Sequence, residues 1–462
     1  MEVSTPSAHI YSRTYLPRVG IPTLGALLKQ SGHHCDIFFQ ALPGFDESKL
    51  RGYDLVGLGS LSGAINEAYR LGDMLKAAGV PVVMGGPHAS FMPEEALEHC
   101  DYVVVGEGEQ SFPALVNALA REESWLNVPG LAFRKDGQVE FTAPTEPVDF
   151  ESLPAPDFTL SPQVSPDRLP PIIVTSRGCP HHCMFCSVTS MFGRRYRFRA
   201  NQQVLAELRL VQNRSVCFGD DNFCANPKRT KSLLREMITR RAAPLRWSGQ
   251  ICVESGSDEE LLDLMEDTRC RIVFVGIESL NPETLKSFRK VHNADAVMRC
   301  VENLHRRHIG IHGMFVVGPE DTPETVSAIV DYAIATGLDT IQIMSLTPFP
   351  GTAAWTDLEP RLLHREWKWF DGMHVVVQPS KCTAYDLQVA LLRAMEKFYS
   401  LKQVLTAYRP GRGWRFTYRL SAGYIIRRWR RLNREYIEKL RIGKSGGLPV
   451  NSGDLTGFSA PR

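Results

Sequence analysis

The chain has 462 residues, of which 43% are apolar and 23% charged, and its net charge is +2. This composition is ordinary for a soluble globular protein of two or three domains, and the net charge by itself indicates no class of partner. No run of about 18 apolar residues occurs, which excludes a membrane-spanning helix, and the start lacks the basic and apolar segments of a signal peptide. Most of the 11 cysteines are dispersed without a disulfide framework, so we expect a reducing cytoplasm.

Residues 1–125 alternate short apolar runs with helical stretches, which predicts a parallel, doubly wound, Rossmann-like sheet. We expect helices over 22–28, 67–78 and 93–99 and from 111 onward, and strands over 35–39, 53–60, 80–86 and 101–106. An expected first strand is reduced to a remnant around residues 1–5.

Such sheets bind ligands at the carboxyl ends of their strands. Small residues gather in three loops at those predicted ends, where backbone N–H groups can approach a large ligand. The candidate binding residues are Ser60, Leu61 and Ser62; Gly85, Gly86, Pro87 and His88; and Gly106, Glu107 and Gly108.

Residues 126–170 form a hairpin-like piece and a proline-rich linker, where we place a domain boundary. Residues 171–350 then return to strand–helix alternation, with strands predicted over 172–176, 215–219, 246–252, 271–276, 310–317 and 339–345. Six strands alternating with helices predict a partial (β/α)6 barrel of the TIM type, with functional residues on the loops after the strands.

Cys179, Cys183 and Cys186 follow the first of these strands in the spacing C-x3-C-x2-C. Thiolates this close together are metal ligands far more often than packing residues. Three thiolates can hold three corners of a 4Fe–4S cube and leave the fourth iron open. Zinc is the alternative, with His181 or His182 as a fourth ligand, but structural zinc usually takes two separated ligand pairs.

The triplet, with Phe185 before its last cysteine, resembles the signature of the radical S-adenosylmethionine superfamily. That resemblance implies a 4Fe–4S cluster that cleaves S-adenosylmethionine to a 5′-deoxyadenosyl radical, with Phe185 near the adenine. It places Asp220, Asp221 and Asn222 at the methionine amino group. Glu278 and Gly318 match later ribose- and adenine-facing positions.

The Gly-Gly-Pro-His and Gly-Glu-Gly-Glu loops are similar to the cobalamin-binding domain of cobalamin-dependent members of that superfamily. The D-x-H-x-x-G motif, which supplies a histidine to cobalt, is absent, so the resemblance implies cobalamin bound without it. The stretch 345–372 resembles a branch that modifies hopanoid lipids and tetrapyrroles. The implied activity is methyl transfer to an unactivated carbon of an apolar small molecule, with a reductant such as flavodoxin or ferredoxin as partner.

Residues 351–444 are predicted to be mostly helical, and 402–444 carry 13 Lys or Arg against two Glu with aromatic residues between them. This pattern suits an anionic membrane surface, which would make the protein membrane-peripheral; nucleic acid is not the expected partner. The alternative is a solvated helix whose arginines extend into water. Residues 445–462 are Gly/Ser-rich, and we predict a disordered tail.

Three other functions remain open at this point. The first is radical cyclisation, ring contraction or oxidation without methyl transfer. The second is methylthiotransfer, which expects three further N-terminal cysteines and a basic domain of β-strands at the C-terminus. The third is a non-enzymatic sensor of cobalamin or of the cluster. Cys217 and Cys224 flank the Asp220–Asn222 loop, but without two more partners we expect them to be packing thiols.

Overall fold

The computed structural model describes residues 1–4, 15–290, 292–406 and 413–446. Its N-terminal part has a five-stranded sheet in the order β1-β2-β3-β4-β5, in which β1 to β3 are parallel and the hairpin β4–β5 adds antiparallel to β3. The elements are α1 (Gly20–Gln30), β1 (Val56–Gly59), α2 (Ile65–Ala77), β2 (Val82–Gly85), α3 (Pro87–Phe91), α4 (Pro93–Ala96), β3 (Tyr102–Val104), α5 (Gly108–Ala120), β4 (Leu131–Lys135) and β5 (Gln138–Phe141).

The predicted strand over 35–39 is wrong, because only Phe39 makes a bridge there. The backbone N–H groups of Ile37 and Phe39 turn instead to the linker, bonding Leu160 O and the side chain of Gln163. The remnant of the first strand is present, since Glu2 bridges in parallel to both Phe39 and Gly59. The N-terminal residues thus extend the sheet by a very short strand beside β1.

The second part confirms the predicted partial barrel. Six parallel strands follow one another in the order β13-β12-β11-β10-β9-β6, and β7 and β8 form a separate antiparallel pair. The elements are β6 (Ile172–Ile173), β7 (Ser176–Arg177), α6 (Ser187–Phe192), β8 (Arg197–Phe198), α7 (Asn201–Leu210), β9 (Ser215–Phe218), α8 (Pro227–Thr239), β10 (Arg246–Cys252), α9 (Glu259–Asp267), β11 (Cys270–Glu278), α10 (Pro282–Ser287), α11 (Ala294–Arg306), β12 (Gly310–Val317), α12 (Pro323–Ala335) and β13 (Thr340–Ser345).

The C-terminal part is helical, as predicted, with α13 (Ala353–Leu358), α14 (Ala384–Phe398), α15 (Leu401–Thr406), α16 (Gly413–Leu432) and α17 (Arg434–Gly446). Over the described ranges, no helix combines the length and hydropathy needed to cross a bilayer. The predicted disordered tail, 445–462, lies outside the described residues except for the last two positions of α17.

The inner face of α16 packs on the barrel. Ile426 and Trp429 are buried there, and Arg415 forms an ion pair with the buried Asp339. Arg419 donates to the carbonyls of Leu338 and Asp339. Part of the basic, aromatic segment that we interpreted as a membrane-facing surface is therefore internal packing, because these residues bury their apolar area and satisfy strand-end carbonyls.

The N-terminal core is shared with later parts of the chain. Leu358, Trp367 and Phe370 are buried in the same apolar cluster as Leu58, Ile65 and other N-terminal residues. Met184 and Phe185, from the cysteine loop, pack against this cluster as well. Residues from the N-terminal part and from later parts of the chain therefore pack in one apolar core.

Candidate functional site

The three cysteines lie on the loop between β7 and α6, and all three are free, partly buried thiols. Burial raises the pKa of Cys179 and Cys183, and it raises the pKa of Cys186 to about 11. These thiols are therefore protonated at neutral pH without a metal, and a bound metal would displace the protons. In the described part of the chain, no three His, Cys, Asp or Glu side chains converge on one ion position. A four-iron cube differs from such a site because each thiolate binds a separate iron.

Glycine is required at the start of this loop. Gly178 has φ +86°, and a Cβ built there would lie 2.7 Å from the carbonyl oxygen of Arg195. The residue thus lets the chain turn sharply out of β7 against the neighbouring segment. This turn places Cys179 directly after the strand.

Asp220 anchors the strand that leads into the loop. Its buried carboxylate accepts hydrogen bonds from the backbone N–H of Thr175 at 3.2 Å, from the Thr175 hydroxyl at 2.7 Å and from the Ser176 hydroxyl. Arg229 donates in turn to the Thr175 hydroxyl at 2.7 Å. Burial nevertheless raises the pKa of Asp220. The carboxylate predicted to bind a cofactor is thus engaged in positioning the cysteine loop.

Asp221 and Asn222 lie closer to the cysteines. Burial and the neighbouring Asp220 raise the pKa of Asp221 to about 6, although its carboxylate accepts a hydrogen bond from the Gly178 backbone. Asn222 is 3% exposed and donates from Nδ2 to Cys252 Sγ at 3.1 Å. Its Oδ1 has no hydrogen-bond partner. A buried acceptor without a partner fits a site that receives a donor from a bound group, such as the ammonium of S-adenosylmethionine.

Glu278 ends β11 in an unusual backbone conformation, with φ +61° and a register shift between Gly276 and Glu278. Its carboxylate pairs with Lys290 at 3.2 Å, and both side chains are almost fully buried. A Cβ at position 276 would lie 2.6 Å from Glu278 Oε1, so Gly276 makes room for the carboxylate. A strained residue held in this way is typical of a functional site.

Lys290 is a residue that sequence analysis missed. Burial would lower the pKa of its ammonium, but Glu278, Cys183 and Cys252 together raise it. A buried cation beside the cysteine loop offsets the negative charge of thiolates and so fits an iron–sulfur cluster. No local motif distinguishes this lysine, because it reaches the site from the loop after α10.

Phe185 and Gly318, both predicted to face the adenine, are brought together by Phe288. The rings of Phe185 and Phe288 meet edge to face with centroids 5.2 Å apart. Phe288 also lies 3.4 Å from the Cβ position of Gly318. These three residues form one apolar wall near the cysteine loop, as a flat heterocycle requires.

The three N-terminal loops predicted to bind a ligand begin at the carboxyl ends of β1, β2 and β3, as expected. Gly86 has φ +95°, and a Cβ there would lie 2.7 Å from Ser60 O. The loops after β1 and β2 therefore touch at their backbones. Leu61 is 45% exposed beside this contact. Such an edge fits a large, flat ligand that contacts the backbone.

His88 is buried rather than exposed at that edge. It is 1% exposed, its Nδ1 lies 3.0 Å from the Ser62 hydroxyl, and its ring meets Trp367 edge to face at 4.6 Å. Glu95 Oε1 lies 3.7 Å from its Nε2. Pro87 starts the short helix α3 that carries it. The histidine therefore joins the loop to the C-terminal segment.

Two carboxylates that follow β3 join the N-terminal sheet to the β7–β8 pair, which carries Arg177 and Arg197. Glu107 accepts from Arg177 at 2.8 Å and from Arg197 at 2.6 Å, and Glu109 accepts from Arg177 at 2.6 Å. Burial opposes ionisation of Glu107, but hydrogen bonds from Arg197 and Arg177 hold its pKa below the usual value. The side chain of Glu107, which we predicted to line a cofactor site, holds the start of the cysteine loop through Arg177. The backbone N–H of Gly106 donates to the Ser90 hydroxyl. We call these four charged residues the domain clamp.

Two family profiles match the chain. The B12 binding domain covers residues 10–116, and the radical SAM superfamily covers residues 173–333. An uncharacterized methyltransferase of Pyrococcus horikoshii, PH0819, is 30% identical over 76% of this chain and 80% of its own length. Bacteriochlorophyllide d C-12(1)-methyltransferase of Chlorobaculum tepidum is 30% identical over 75% of each chain. Hopanoid C-3 methylase of Methylococcus capsulatus is 26% identical over 74% of this chain and 66% of its own.

A solved structure shares the fold. The radical S-adenosylmethionine methyltransferase TsrM from Kitasatospora setae, with cobalamin and a [4Fe-4S] cluster bound, superposes with a TM-score of 0.65 over 77% of each chain at 22% identity. The cofactors of this family are a 4Fe–4S cluster, S-adenosylmethionine and cobalamin, for which the described residues supply thiols, a buried unpaired acceptor and a small-residue sheet edge. The chain belongs to the radical S-adenosylmethionine superfamily, among its cobalamin-dependent methyltransferases.

Proposed function

We propose that the protein transfers a methyl group to an unactivated carbon of an apolar, polycyclic or tetrapyrrole substrate. The domain clamp carries this proposal, because Arg177 stands two residues before Cys179 and is fixed to the carboxyl edge of the N-terminal sheet. The cysteine loop therefore lies close to the carboxyl edge of the N-terminal sheet, where we propose that cobalamin binds. Methyl delivery between two cofactors requires such proximity.

The roles of individual residues are part of the same proposal. When bound, the cofactors supply a 5′-deoxyadenosyl radical and a methyl donor. Cys179, Cys183 and Cys186 hold the cluster, and Asn222 and Glu278 orient S-adenosylmethionine through hydrogen bonds. The loops at 60–62, 85–86 and 106–108 seat cobalamin through backbone contacts. The side chains of Asp220 and of the domain clamp position the cysteine loop, and only the backbone of Glu107 takes part in seating cobalamin.

An apolar substrate agrees with the surroundings of the cysteine loop. Phe349 and Trp355 are partly buried apolar residues that pack against the same apolar cluster as Met184. One relative acts on bacteriochlorophyllide d and another on a hopanoid, and each of these molecules has a large, mostly apolar ring system. An unactivated C–H bond of such a ring system offers neither an acidic proton nor a leaving group, so acid–base residues cannot activate it.

Anaerobic turnover with methyl-labelled S-adenosylmethionine tests the proposal. The purified holoenzyme is given reductant with bacteriochlorophyllide d or a hopanoid, and 5′-deoxyadenosine, S-adenosylhomocysteine and labelled product are quantified by mass spectrometry. We expect the first two products and a labelled methyl product in equal amounts. Formation of 5′-deoxyadenosine with an altered but unmethylated product would refute methyl transfer and favour radical cyclisation or oxidation.

We also propose that the outer face of α16 contacts an anionic membrane where such substrates reside. Leu420 and Tyr424 are 42% and 49% exposed on that face, beside the exposed Arg427, Arg428 and Arg431. Vesicle flotation tests this contact. We expect binding to phosphatidylglycerol vesicles that weakens in high salt, and loss of binding when the three arginines become glutamate. Equal loss in a triple charge reversal at three exposed positions on other helices or loops (Arg209, Lys228 and Arg241) would contradict it.

A further inference from the structure

An exposed turn lies against the start of the cysteine loop. It consists of Gly193, Arg194 and Arg195, between α6 and β8, and we call it the basic turn. The Cβ position of Gly178 lies 2.7 Å from Arg195 O and 3.7 Å from Gly193 O, so the turn packs against the residue that precedes Cys179. All three turn residues are exposed, whereas the three cysteines are only partly so. The basic turn therefore offers an open surface next to the cluster ligands.

The charge of this segment has one sign. Residues 177–206 contain five arginines and no Asp or Glu. Three of these arginines are neutralised by carboxylates elsewhere in the chain: Arg177 and Arg197 in the domain clamp, and Arg199 by Glu207. The side chains of Arg194 and Arg195 make no ion pair or hydrogen bond with any residue that the structure describes. Two uncompensated positive charges thus lie at the surface beside the cysteine loop.

This surface suits a short-lived contact with an acidic protein. Electron-transfer complexes have small interfaces, and opposite charges at their edges speed the encounter of the two proteins. Phe198, three residues beyond the basic turn, is 44% exposed and adds an apolar contact. Any protein that delivers an electron has to bring its own redox centre close to the cluster. The basic turn allows this approach because its backbone touches the start of the cysteine loop.

We propose that the basic turn is the docking site of an acidic carrier protein that donates single electrons, of the flavodoxin or ferredoxin class. One electron leaves the carrier's flavin or iron–sulfur centre, which is oxidised, and the 4Fe–4S cluster is reduced by that electron. No atom or proton is transferred at the docking surface. The proposal rests on the cluster that the family holds and is independent of which substrate is methylated.

Carrier binding provides the first test. The reconstituted holoenzyme is immobilised under anaerobic conditions, and an acidic flavodoxin or an acidic ferredoxin is added at low and at high salt while binding is followed by biolayer interferometry. The test variant is Arg194→Glu/Arg195→Glu. The control, Arg209→Glu/Arg241→Glu, reverses two exposed charges near the C-terminal ends of α7 and α8, at the opposite rim of the barrel from the cysteine loop. We expect severalfold weaker binding in the test variant only, mainly through slower association, and weaker binding of the wild type in high salt.

Electron delivery provides the second test. Cluster reduction is followed by electron paramagnetic resonance, with either the reduced carrier or titanium(III) citrate as the electron source. Titanium(III) citrate is a small molecule that needs no docking surface, so it should reduce the wild type and both variants equally. The reduced carrier should reduce the cluster of the test variant severalfold more slowly than that of the wild type or the control.

Equal carrier affinity in the test and control variants would overturn the proposal, and so would wild-type binding that high salt leaves unchanged. If the test variant loses binding to phosphatidylglycerol vesicles but keeps binding to the carrier, the basic turn is a membrane contact and the proposal is wrong. If the test variant does not retain its cluster, Arg194→Gln/Arg195→Gln, which removes the charges without reversing them, replaces it in both tests. Since neither test uses a substrate, failure of the docking site is distinguished from failure of methyl transfer.

Discussion

Removal of the Glu107 carboxylate should strongly destabilise the junction between the N-terminal sheet and the β7–β8 pair. The side chain is 7% exposed and accepts hydrogen bonds from Arg177, from Arg197 and from the backbone N–H of Val148. Glu107→Ala leaves two buried guanidinium groups without this carboxylate. Breaking a buried ion pair from one side costs about 3–5 kcal/mol. Because Arg177 still pairs with Glu109 in this variant, we expect the free energy of unfolding to fall by an amount in the lower half of that range.

Urea denaturation under anaerobic conditions, followed by tryptophan fluorescence, measures this loss as a shift of the unfolding midpoint. Glu47→Ala is the matched control, because Glu47 pairs with Arg70 on the surface, where both side chains are about half exposed. An exposed pair of this kind contributes roughly 0–1 kcal/mol. If the two variants lose the same stability, the clamp does not hold the sheets together.

The clamp should also give the stability a defined pH dependence. The folded pKa of Glu107 is depressed, so its contribution is fully present above the unfolded value of about 4.3 and disappears as the pH falls through the folded pKa. The difference in unfolding free energy between the wild type and Glu107→Gln should therefore be constant from neutral pH down to about pH 5 and shrink in stronger acid. A difference that grows on acidification would contradict this assignment.

Two further substitutions test the site. Asp220→Asn removes the charge that orders the strand before the cysteines. We therefore expect severalfold less iron and sulfide per chain after reconstitution. The control Asp357→Asn changes an exposed residue and should retain the wild-type iron and sulfide content. Gly86→Ala places a Cβ 2.7 Å from Ser60 O, so we expect loss of bound cobalamin, measured by its absorbance. Gly79→Ala has a similar positive φ but open space around it and should lose only stability, about 1 kcal/mol or more. Equal cobalamin content in the two glycine variants would rule out the loop contact as the cause.

The repeating pattern of strands and helices was sufficient to predict the fold. All six barrel strands lie within a few residues of their predicted places, because short apolar or alternating segments recur between helical stretches along this part of the chain. The strand predicted over 35–39 failed because an apolar run shows burial but not which backbone groups it bonds. Here the bonds go to the linker at Leu160 and Gln163.

The candidate site was predictable only where a local motif carried it. The cysteine triplet lies within eight residues, so its spacing alone indicated a cluster. Lys290 and Cys252 reach the same place from separate loops and strands, and no spacing rule connects them. The arginine partners of Glu107 were not predicted for a similar reason. Its position at a strand end indicated a ligand, whereas Arg177 and Arg197 come from distant parts of the sequence.

The N-terminal sheet depends on a part of the chain that is made much later than its own strands. Trp367 Nε1 donates to Glu95 Oε1 at 2.7 Å across 272 residues of sequence, and Phe370 completes the same apolar core. A ribosome that has released only the first third of the chain therefore exposes a sheet that lacks part of its cover. We expect this region to mature only after Trp367 and Phe370 have been synthesised, and to need protection from aggregation until then. Fragments that end before Trp367 should accordingly be poorly soluble, however well their own strands pair.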